Sequence, residues 1–407
     1  MPDPSTDPPA QPIAYHGRQK RVLLFVHDGS GLGHLRRVAR LAGALQGPCA
    51  SLVVSGHRAA AWLVPPECEY VHLPSLDSLL PQKAARWGRR PFAAMTLPEI
   101  HGFRKKLLDS VVEAFRPDAL VVDYLPLGVK EELAEIVERL PARKYLVLRG
   151  VLDQPFAVRK EILGGRAGDL LKRCFDRILV ACDPRVCDVG REYGFPPALA
   201  AKLSYVGYIV DPVGAEQIEK AREERGLRPG DVWVVGSAGG GLLGEQVAEA
   251  CLKLSRSLAE PFVFDVIAGP RSRVGAHWRS AEVIWEGRNR HMMEHQNLPL
   301  LHAAADIVVT PGGYNSVVEG MEGGAVLLCA PVQADPRDEQ FTHTARLTRL
   351  YPLQVVRNLD RLGEEVVAAA QGLVRRRGRD LLDFDGLAKT RELIYQDLGI
   401  LGAPGSG

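Results

Sequence analysis

The chain has 407 residues, more than one ordinary core accommodates, so two domains or more are expected. Its 46% hydrophobic and 25% charged residues are those of a soluble globular protein, and a net charge of +2 gives no reason to expect nucleic acid as a partner. Seven scattered cysteines, with no CxxC pair and no zinc spacing, exclude a disulfide scaffold and read as reduced thiols of a cytoplasmic protein.

Residues 1–19 are rich in proline and polar side chains and lack an apolar h-region, so a disordered leader is expected there and not a signal peptide. No stretch approaches the length of a transmembrane helix. Residues 21–27 (RVLLFVH) form a continuous apolar run, as a parallel strand buried on both faces requires. A glycine-rich turn and helical periodicity over 35–45 follow. Strand 50–55, helix 99–115, strand 119–123 and strands 144–148 and 177–181 continue the alternation. This pattern predicts a doubly wound, Rossmann-like parallel sheet over 20–211.

Residues 212–229 are polar and charged, with Pro and Gly near their ends, and read as a hinge. The pattern then restarts with strand 232–235, a glycine run and helix 244–255. Strand 262–268, helix 298–304, strand 307–310, helix 315–321 and strand 325–329 follow. A second Rossmann-like domain is thus expected over 230–385. Residues 386–407 are read as a C-terminal helix and tail, with a return to the N-terminal domain as one option. Ligands of open parallel sheets bind at the carboxyl ends of the strands, which here face a cleft between the domains.

Three constellations can carry chemistry. The first is Gly29-Ser30-Gly31-Leu32-Gly33-His34, directly after the first strand. As a dinucleotide fingerprint it fails, because His34 stands at the third glycine position and the second strand ends in Ser55-Gly56 where an acidic residue would bind ribose. NAD is therefore not expected. Gly31 and Gly33 still permit close backbone approach of a ligand, and a neutral His34 near a helix start can act as a base. Asp28 and Asp123, also at strand ends, are further candidates. The plain alternative is a packing turn capped by His34.

The second constellation, Gly236-Ser237-Ala238-Gly239-Gly240-Gly241, follows the strand that opens the second domain and can form a nest of N–H groups for phosphate; no Lys-Ser or Lys-Thr follows, which excludes a Walker A loop. The third runs from a short apolar strand through Pro311-Gly312-Gly313 into a helix beginning Tyr314-Asn315-Ser316, with Glu319 further along. Gly312, Gly313, Asn315 and Ser316 would offer donors to a diphosphate at the helix start, and Glu319 would accept from ribose hydroxyls. Asp335, Glu339 and Gln340 can read a sugar. The alternatives are a solvated helix carboxylate for Glu319 and a polar loop for 335–340.

The two glycine turns, Gly-Gly-Tyr-Asn-Ser-x-x-Glu and the downstream Asp-x-x-x-Glu-Gln resemble those of GT-B glycosyltransferases, most closely the branch containing MurG and the family-28 enzymes. Within it, His-Asp-x-x-Gly-Leu-Gly-His-Leu-Arg-Arg and Gly-Gly-Tyr-Asn resemble a bacterial group of predicted glycosyltransferases. The resemblance spans about residues 21–350. It implies two Rossmann-like domains facing a cleft, and an inverting, metal-independent hexosyltransferase with a UDP-linked or related nucleotide-sugar donor and an unidentified acceptor. It places Gly239, Gly240, Gly241 and Arg271 near the diphosphate, Met293–His295 beside the base, Ser316 on phosphate, Glu319 on ribose, and Glu339 with Gln340 on the sugar. One departure is that MurG-like enzymes carry Gln where Glu339 stands, which implies a different donor sugar.

The only DxD sequence of the kind used by metal-dependent glycosyltransferases, Asp383-Phe384-Asp385, lies away from any expected strand end and reads as a chance match. Arg36-Arg37, Arg104-Lys105-Lys106 and Arg375-Arg376-Arg377 read as solvated helix faces, with peripheral contact to an anionic membrane as the alternative. The chain is expected to act as a monomer or homodimer. Two rival functions remain: a nucleotide-sugar hydrolase or 2-epimerase on the same fold, and a non-catalytic sugar-nucleotide-binding partner.

Overall fold

The computed structural model describes residues 19–27, 32–75, 95–239, 244–269, 272, 274, 283–295, 297–331 and 338–400. Strands β1 (Lys20–Val26), β2 (Cys49–Ser55), β3 (Glu69–His72), β4 (Ala119–Asp123), β5 (Arg143–Arg149), β6 (Arg177–Ala181) and β7 (Leu203–Tyr205) form one sheet. Its order is β3-β2-β1-β4-β5-β6-β7, and every neighbouring pair is parallel.

Strands β8 (Val232–Ser237), β9 (Phe262–Ile267), β10 (Val283–Glu286), β11 (Asn289–Met292), β12 (Ile307–Thr310), β13 (Val326–Cys329) and β14 (Leu353–Val355) form the second sheet. Its order is β10-β11-β9-β8-β12-β13-β14. Only the β10–β11 pair is antiparallel. These are the two Rossmann-like sheets that the alternating pattern predicts.

The helices that position the site are α1 (Gly33–Ala44), α2 (Leu97–Phe115), α3 (Ala215–Glu224), α4 (Glu245–Ser257), α5 (Leu298–Ala304), α6 (Tyr314–Gly323), α7 (Glu339–Leu347) and α8 (Gly386–Asp397). Local chemistry sets their ends. Thr96 and Glu99 form a reciprocal capping box at the start of α2, and Gly324, with φ of 89°, closes α6 in the left-handed region. Residues 212–229, read as a hinge, contain α3, whose Arg222 bonds the Ala304 carbonyl and both oxygens of Asp306. Its largely polar composition conceals a helix held by these bonds, since Ala221 is its one buried residue.

Register places the site. Val26 pairs with Asp123, so the chain leaving β1 emerges beside the Asp123 carboxylate. In β1, Val22, Leu23, Leu24 and Phe25 are fully buried, each contributing roughly 1.5–3 kcal/mol of transfer free energy. One apolar cluster runs from Leu120 and Val122 through Tyr208 to Val318 and Met321 and joins the two domains. Helix α8 lies on the N-terminal domain: Ile394 packs with Val22 and Leu41, and Asp397 takes Arg177 in two bonds of 2.7 and 2.8 Å.

The basic runs are only partly solvated: Lys106 and Arg376 are exposed, while other members are engaged by carboxylates. Arg104 is buried on Glu132 and Arg37 on Asp123, while Arg375 and Arg377 are tied to Asp306 and Glu322. A buried guanidinium needs a carboxylate partner, and the two buried ones, Arg37 and Arg104, each have one. Among the described residues no helix is long and apolar enough to cross a membrane.

Candidate active site

At the carboxyl end of the first sheet, α1 begins against α6. A Cβ on Gly33 would stand 3.3 Å from Asn315 Nδ2, and that same nitrogen donates to the Gly33 carbonyl at 3.1 Å. His34, one residue into α1, places Nδ1 2.5 Å from Asp123 Oδ2. Arg37, one turn later on the same face, donates from Nε and Nη2 to Asp123 Oδ1 at 2.8 and 2.6 Å. His34 and Asp123, separate candidates in the sequence, are thus one hydrogen-bonded pair.

The charges of the pair follow from its surroundings. Burial works against ionisation of Asp123, but Arg37 and His34 overcome it and hold the carboxyl well below the usual range. An ionised carboxylate only accepts, so His34 Nδ1 carries the proton and Nε2 keeps a lone pair. Burial lowers the His34 pKa, although Asp123 pulls it up. The shift favours the neutral imidazole, the form a general base needs.

Around the dyad, the ring of His27 lies 4.6 Å and that of Tyr124 5.5 Å from the His34 ring. Tyr124, at φ 65°, holds a left-handed conformation that costs on the order of 1 kcal/mol, and donates to Asp153 at 2.8 Å. His27, His34 and Asp123 bring ligand-type atoms within 4.8 Å of one another. Both Asp123 oxygens are already taken, by Arg37 and by His34, which suits a proton-transfer pair better than a cation site.

The second domain supplies the opposite wall. Gly312 has φ of 86°, and a Cβ there would meet Thr344 Cγ2 at 2.8 Å, so the turn before α6 demands glycine. Gly313 caps α6, leaving the N–H groups of Tyr314, Asn315 and Ser316 as a first turn without partners among the described residues. Tyr314 donates its hydroxyl to the Ala181 carbonyl at 2.9 Å and accepts from the Ile209 N–H at 3.1 Å. Ser237 is buried at the end of β8, where its hydroxyl accepts from the Gly239 N–H. Met293 and His295 follow β11; the Met293 carbonyl accepts from Gly269 N–H, and His295 Nδ1 accepts from Asn297 N–H.

Glu319 is engaged by protein partners. It is 1% exposed, so it is not a solvated carboxylate. Nor does it present free oxygens to a ribose. Oε1 accepts from Arg40 at 2.7 Å and from Arg36 at 3.2 Å, and Oε2 lies 2.8 Å from His302 Nδ1. Arg40 also reaches Asn315 Oδ1 at 3.0 Å. Asn315 and Glu319, one turn apart, are thus covered by a single guanidinium from the N-terminal domain. Despite burial, these cations hold the Glu319 pKa well below normal.

The sugar-reading candidates also meet the N-terminal domain. Glu339, at the start of α7, forms an ion pair with Arg149 at the end of β5, and Gln154 donates to the neighbouring Asp338 at 2.5 Å. Burial raises the Glu339 pKa against the pull of Arg149. Gln340 Oε1 is buried without a hydrogen-bond partner among the described residues. Asp28, Gly31, Gly240, Gly241, Arg271 and Asp335 lie outside the described residues.

Sequence reasoning missed Arg37, Arg40, Arg149 and His302 as site residues. The i, i+3 spacing of His34 and Arg37 and the position of Arg149 at a strand end were the available signals. Nothing local marks Arg40 or His302, whose partners lie 279 and 17 residues away.

No family model matches the chain, and no curated protein matches it. Solved structures do. CalG4, the calicheamicin glycosyltransferase, superposes with a TM-score of 0.60 at 15% identity, covering 95% of this chain and 100% of its own. Acinetobacter baumannii MurG gives 0.56 at 12% identity over 93% and 99%. Phytolacca americana UGT2, solved with UDP-2-fluoroglucose and pterostilbene, gives 0.57 at 15% identity over 96% and 97%. Two seven-stranded, mostly parallel sheets with flanking helices and these near-complete superpositions together give the chain the GT-B fold.

Proposed function

We propose that the protein is an inverting glycosyltransferase, moving a sugar from a nucleotide-sugar donor, UDP-linked or closely related, to a small-molecule, natural-product or envelope acceptor. The observation that carries this reading is the His34–Asp123 pair, at a helix start that touches the N-terminal turn of α6 through Gly33 and Asn315. Similarity to CalG4, MurG and UGT2 supports a nucleotide-sugar substrate.

In this reading His34 Nε2 takes the proton of an acceptor hydroxyl as its oxygen attacks the anomeric carbon. The bond from that carbon to the diphosphate oxygen breaks, and the electron pair leaves with the nucleotide. Asp123 stabilises the imidazolium formed, and the first-turn N–H groups of α6 receive the charge developing on the diphosphate. Glu339 and Gln340 orient the sugar. No step calls for a metal, because fixed N–H dipoles supply the electrostatic clamp. Expected partners are the donor and one acceptor, and the place of action is the cytoplasm.

The test is a thermal-shift screen of nucleotide sugars, followed by mass analysis of products with and without an acceptor panel. A new glycoside that appears only with acceptor supports transfer. Free sugar at an acceptor-independent rate would replace it by hydrolysis, and stabilisation by NAD(P) but by no nucleoside diphosphate would remove the donor class.

A further inference from the structure

The base in this reading is useful in one tautomer only, and the chain contains a residue placed to select it. Arg37 is 1% exposed and donates from Nε and Nη2 to one oxygen of Asp123, leaving the other oxygen to His34 Nδ1. We infer that Arg37 is a positioning residue: it fixes the rotation of the Asp123 carboxylate, and so holds His34 with the proton on Nδ1 and the lone pair on Nε2. The inference rests on the proposed role of His34 as base.

Geometry argues for a specific role beyond charge balance. Arg37 Nη2 also lies 3.2 Å from His34 Nδ1. Were Asp123 turned away or protonated, Nδ1 would lose its acceptor, nothing would hold the proton there, and the Nε2–H form, which has no lone pair to offer as base, would compete. The planar fork prevents this by engaging Oδ1 from two nitrogens at once, which a lysine ammonium on a flexible stem does not reproduce. On its far side the guanidinium faces the Tyr314 ring at 5.6 Å, and Tyr314 is itself pinned by its two hydroxyl bonds. Arg37, 1% exposed, is thus packed beside a ring that is itself fixed.

The groups that face His34 are Asp123 and Tyr124 from the end of β4, Arg37 from its own helix, Arg149 from β5 and His27 from β1. Asp123 favours the imidazolium, while Arg37 and Arg149 disfavour it. Removing Arg37 thus raises the His34 midpoint and frees the tautomer, two changes that a purely structural arginine would not produce together.

The experiment is nitrogen-15 NMR of histidine-labelled full-length protein over pH 5–8, with His34 assigned through His34→Gln. The wild type is expected to be neutral at pH 7 with the proton on Nδ1. In Arg37→Gln the Nε2–H form should appear and the midpoint should rise. With donor and acceptor, kcat should fall by about ten- to a hundredfold, and the donor KM should stay within about twofold. Arg37→Lys, which keeps the buried charge and so protects the fold, should restore the midpoint but leave a mixed tautomer and an intermediate kcat.

Wild-type tautomer and midpoint in folded Arg37→Gln would overturn the inference. If that variant does not fold, a wild-type tautomer and kcat in Arg37→Lys would do the same. The NMR signals do not depend on turnover. A tautomer shift in a protein that transfers no sugar would keep the positioning role and remove His34 as base.

Discussion

Arg40 on α1 and Glu319 on α6 meet at 2.7 Å, binding the two domains through a buried ion pair that Arg36, Asp211 and His302 extend. The carboxylate that the resemblance gives to a ribose is thus held by the opposite domain. Oε1 already accepts from Arg40 and Arg36 and Oε2 lies against His302, so the carboxylate is closed in by three side chains, and a nucleotide that uses Glu319 must displace the nearer guanidinium, Arg40. Arg40→Gln is then expected to tighten binding of UDP severalfold, about 1 kcal/mol, by calorimetry. Unchanged or weaker binding would mean that Glu319 stays with Arg40 and is an interdomain strut.

The same cluster makes stability depend on pH with a definite sign. Glu319 and Asp123 both have folded pKa values held below the ordinary carboxylate range. At acidic pH the unfolded state binds more protons than the native state, so stability falls as pH drops through and below the unfolded values, about 4. Glu319→Gln should destabilise by about 3–5 kcal/mol at pH 7, because it leaves Arg36, Arg40 and His302 without their carboxylate. It should also flatten the dependence of urea stability on pH between about 5 and 2. An unchanged acid slope would show that the pair contributes nothing to folding.

What could be read in advance, and what could not, follows from the range of the interactions. Apolar runs such as VLLF in β1 and the turn at Gly312 are local signals, and each maps to its observed element. The short strands β3, β7 and β14 were not legible. They are three or four residues long, and β3 shows the burial pattern eeie, so no periodicity betrays them. The site behaves in the same way. His34, Asp123 and Glu339 stand at strand and helix ends that the topology marks. The side chains they engage, Arg37 apart, reach them from other elements: Arg149 meets Glu339, and Arg40 meets Glu319 across 279 residues. Glu319 looked like a free ligand because its sequence neighbourhood contains none of its cations.

The pH profile tests the base. The base is active when neutral, and the His34 pKa lies below its ordinary value of 6.5 because burial outweighs the pull of Asp123. The acid limb of kcat/KM should therefore fall below pH 6.5, with rate lost as pH drops through that limb. His34→Ala should cost about 10²–10⁴ in kcat while donor binding is retained. Full turnover in a variant that binds donor normally would remove His34 from the mechanism.

Chelation addresses the clamp. In the proposed reaction the leaving diphosphate is met by the N–H groups that open α6, not by a cation held between carboxylates. EDTA is then expected to leave the initial rate within about twofold, since these dipoles are fixed by the fold. A rate that collapses with EDTA and returns with a divalent ion would replace the dipole clamp by a metal.

Glu339 is buried, paired with Arg149 across the cleft, and carries a raised pKa. Gln340 beside it has a buried amide oxygen with no hydrogen-bond partner among the described residues. A glutamine at 339 would keep an acceptor oxygen and add two donors, so it would pair with a different set of sugar hydroxyls. It would also leave Arg149 without its carboxylate. Glu339→Gln is therefore expected to change the ranking of donor sugars while nucleotide affinity stays within about twofold. Discrimination between sugars that differ at one hydroxyl should move by roughly 1–3 kcal/mol, the cost of leaving one buried polar group unpaired. Competition assays over a panel of UDP-sugars, with free UDP as reference, give both quantities. A uniform loss across all sugars and UDP alike would place Glu339 in the interdomain contact with Arg149 and take it out of sugar selection.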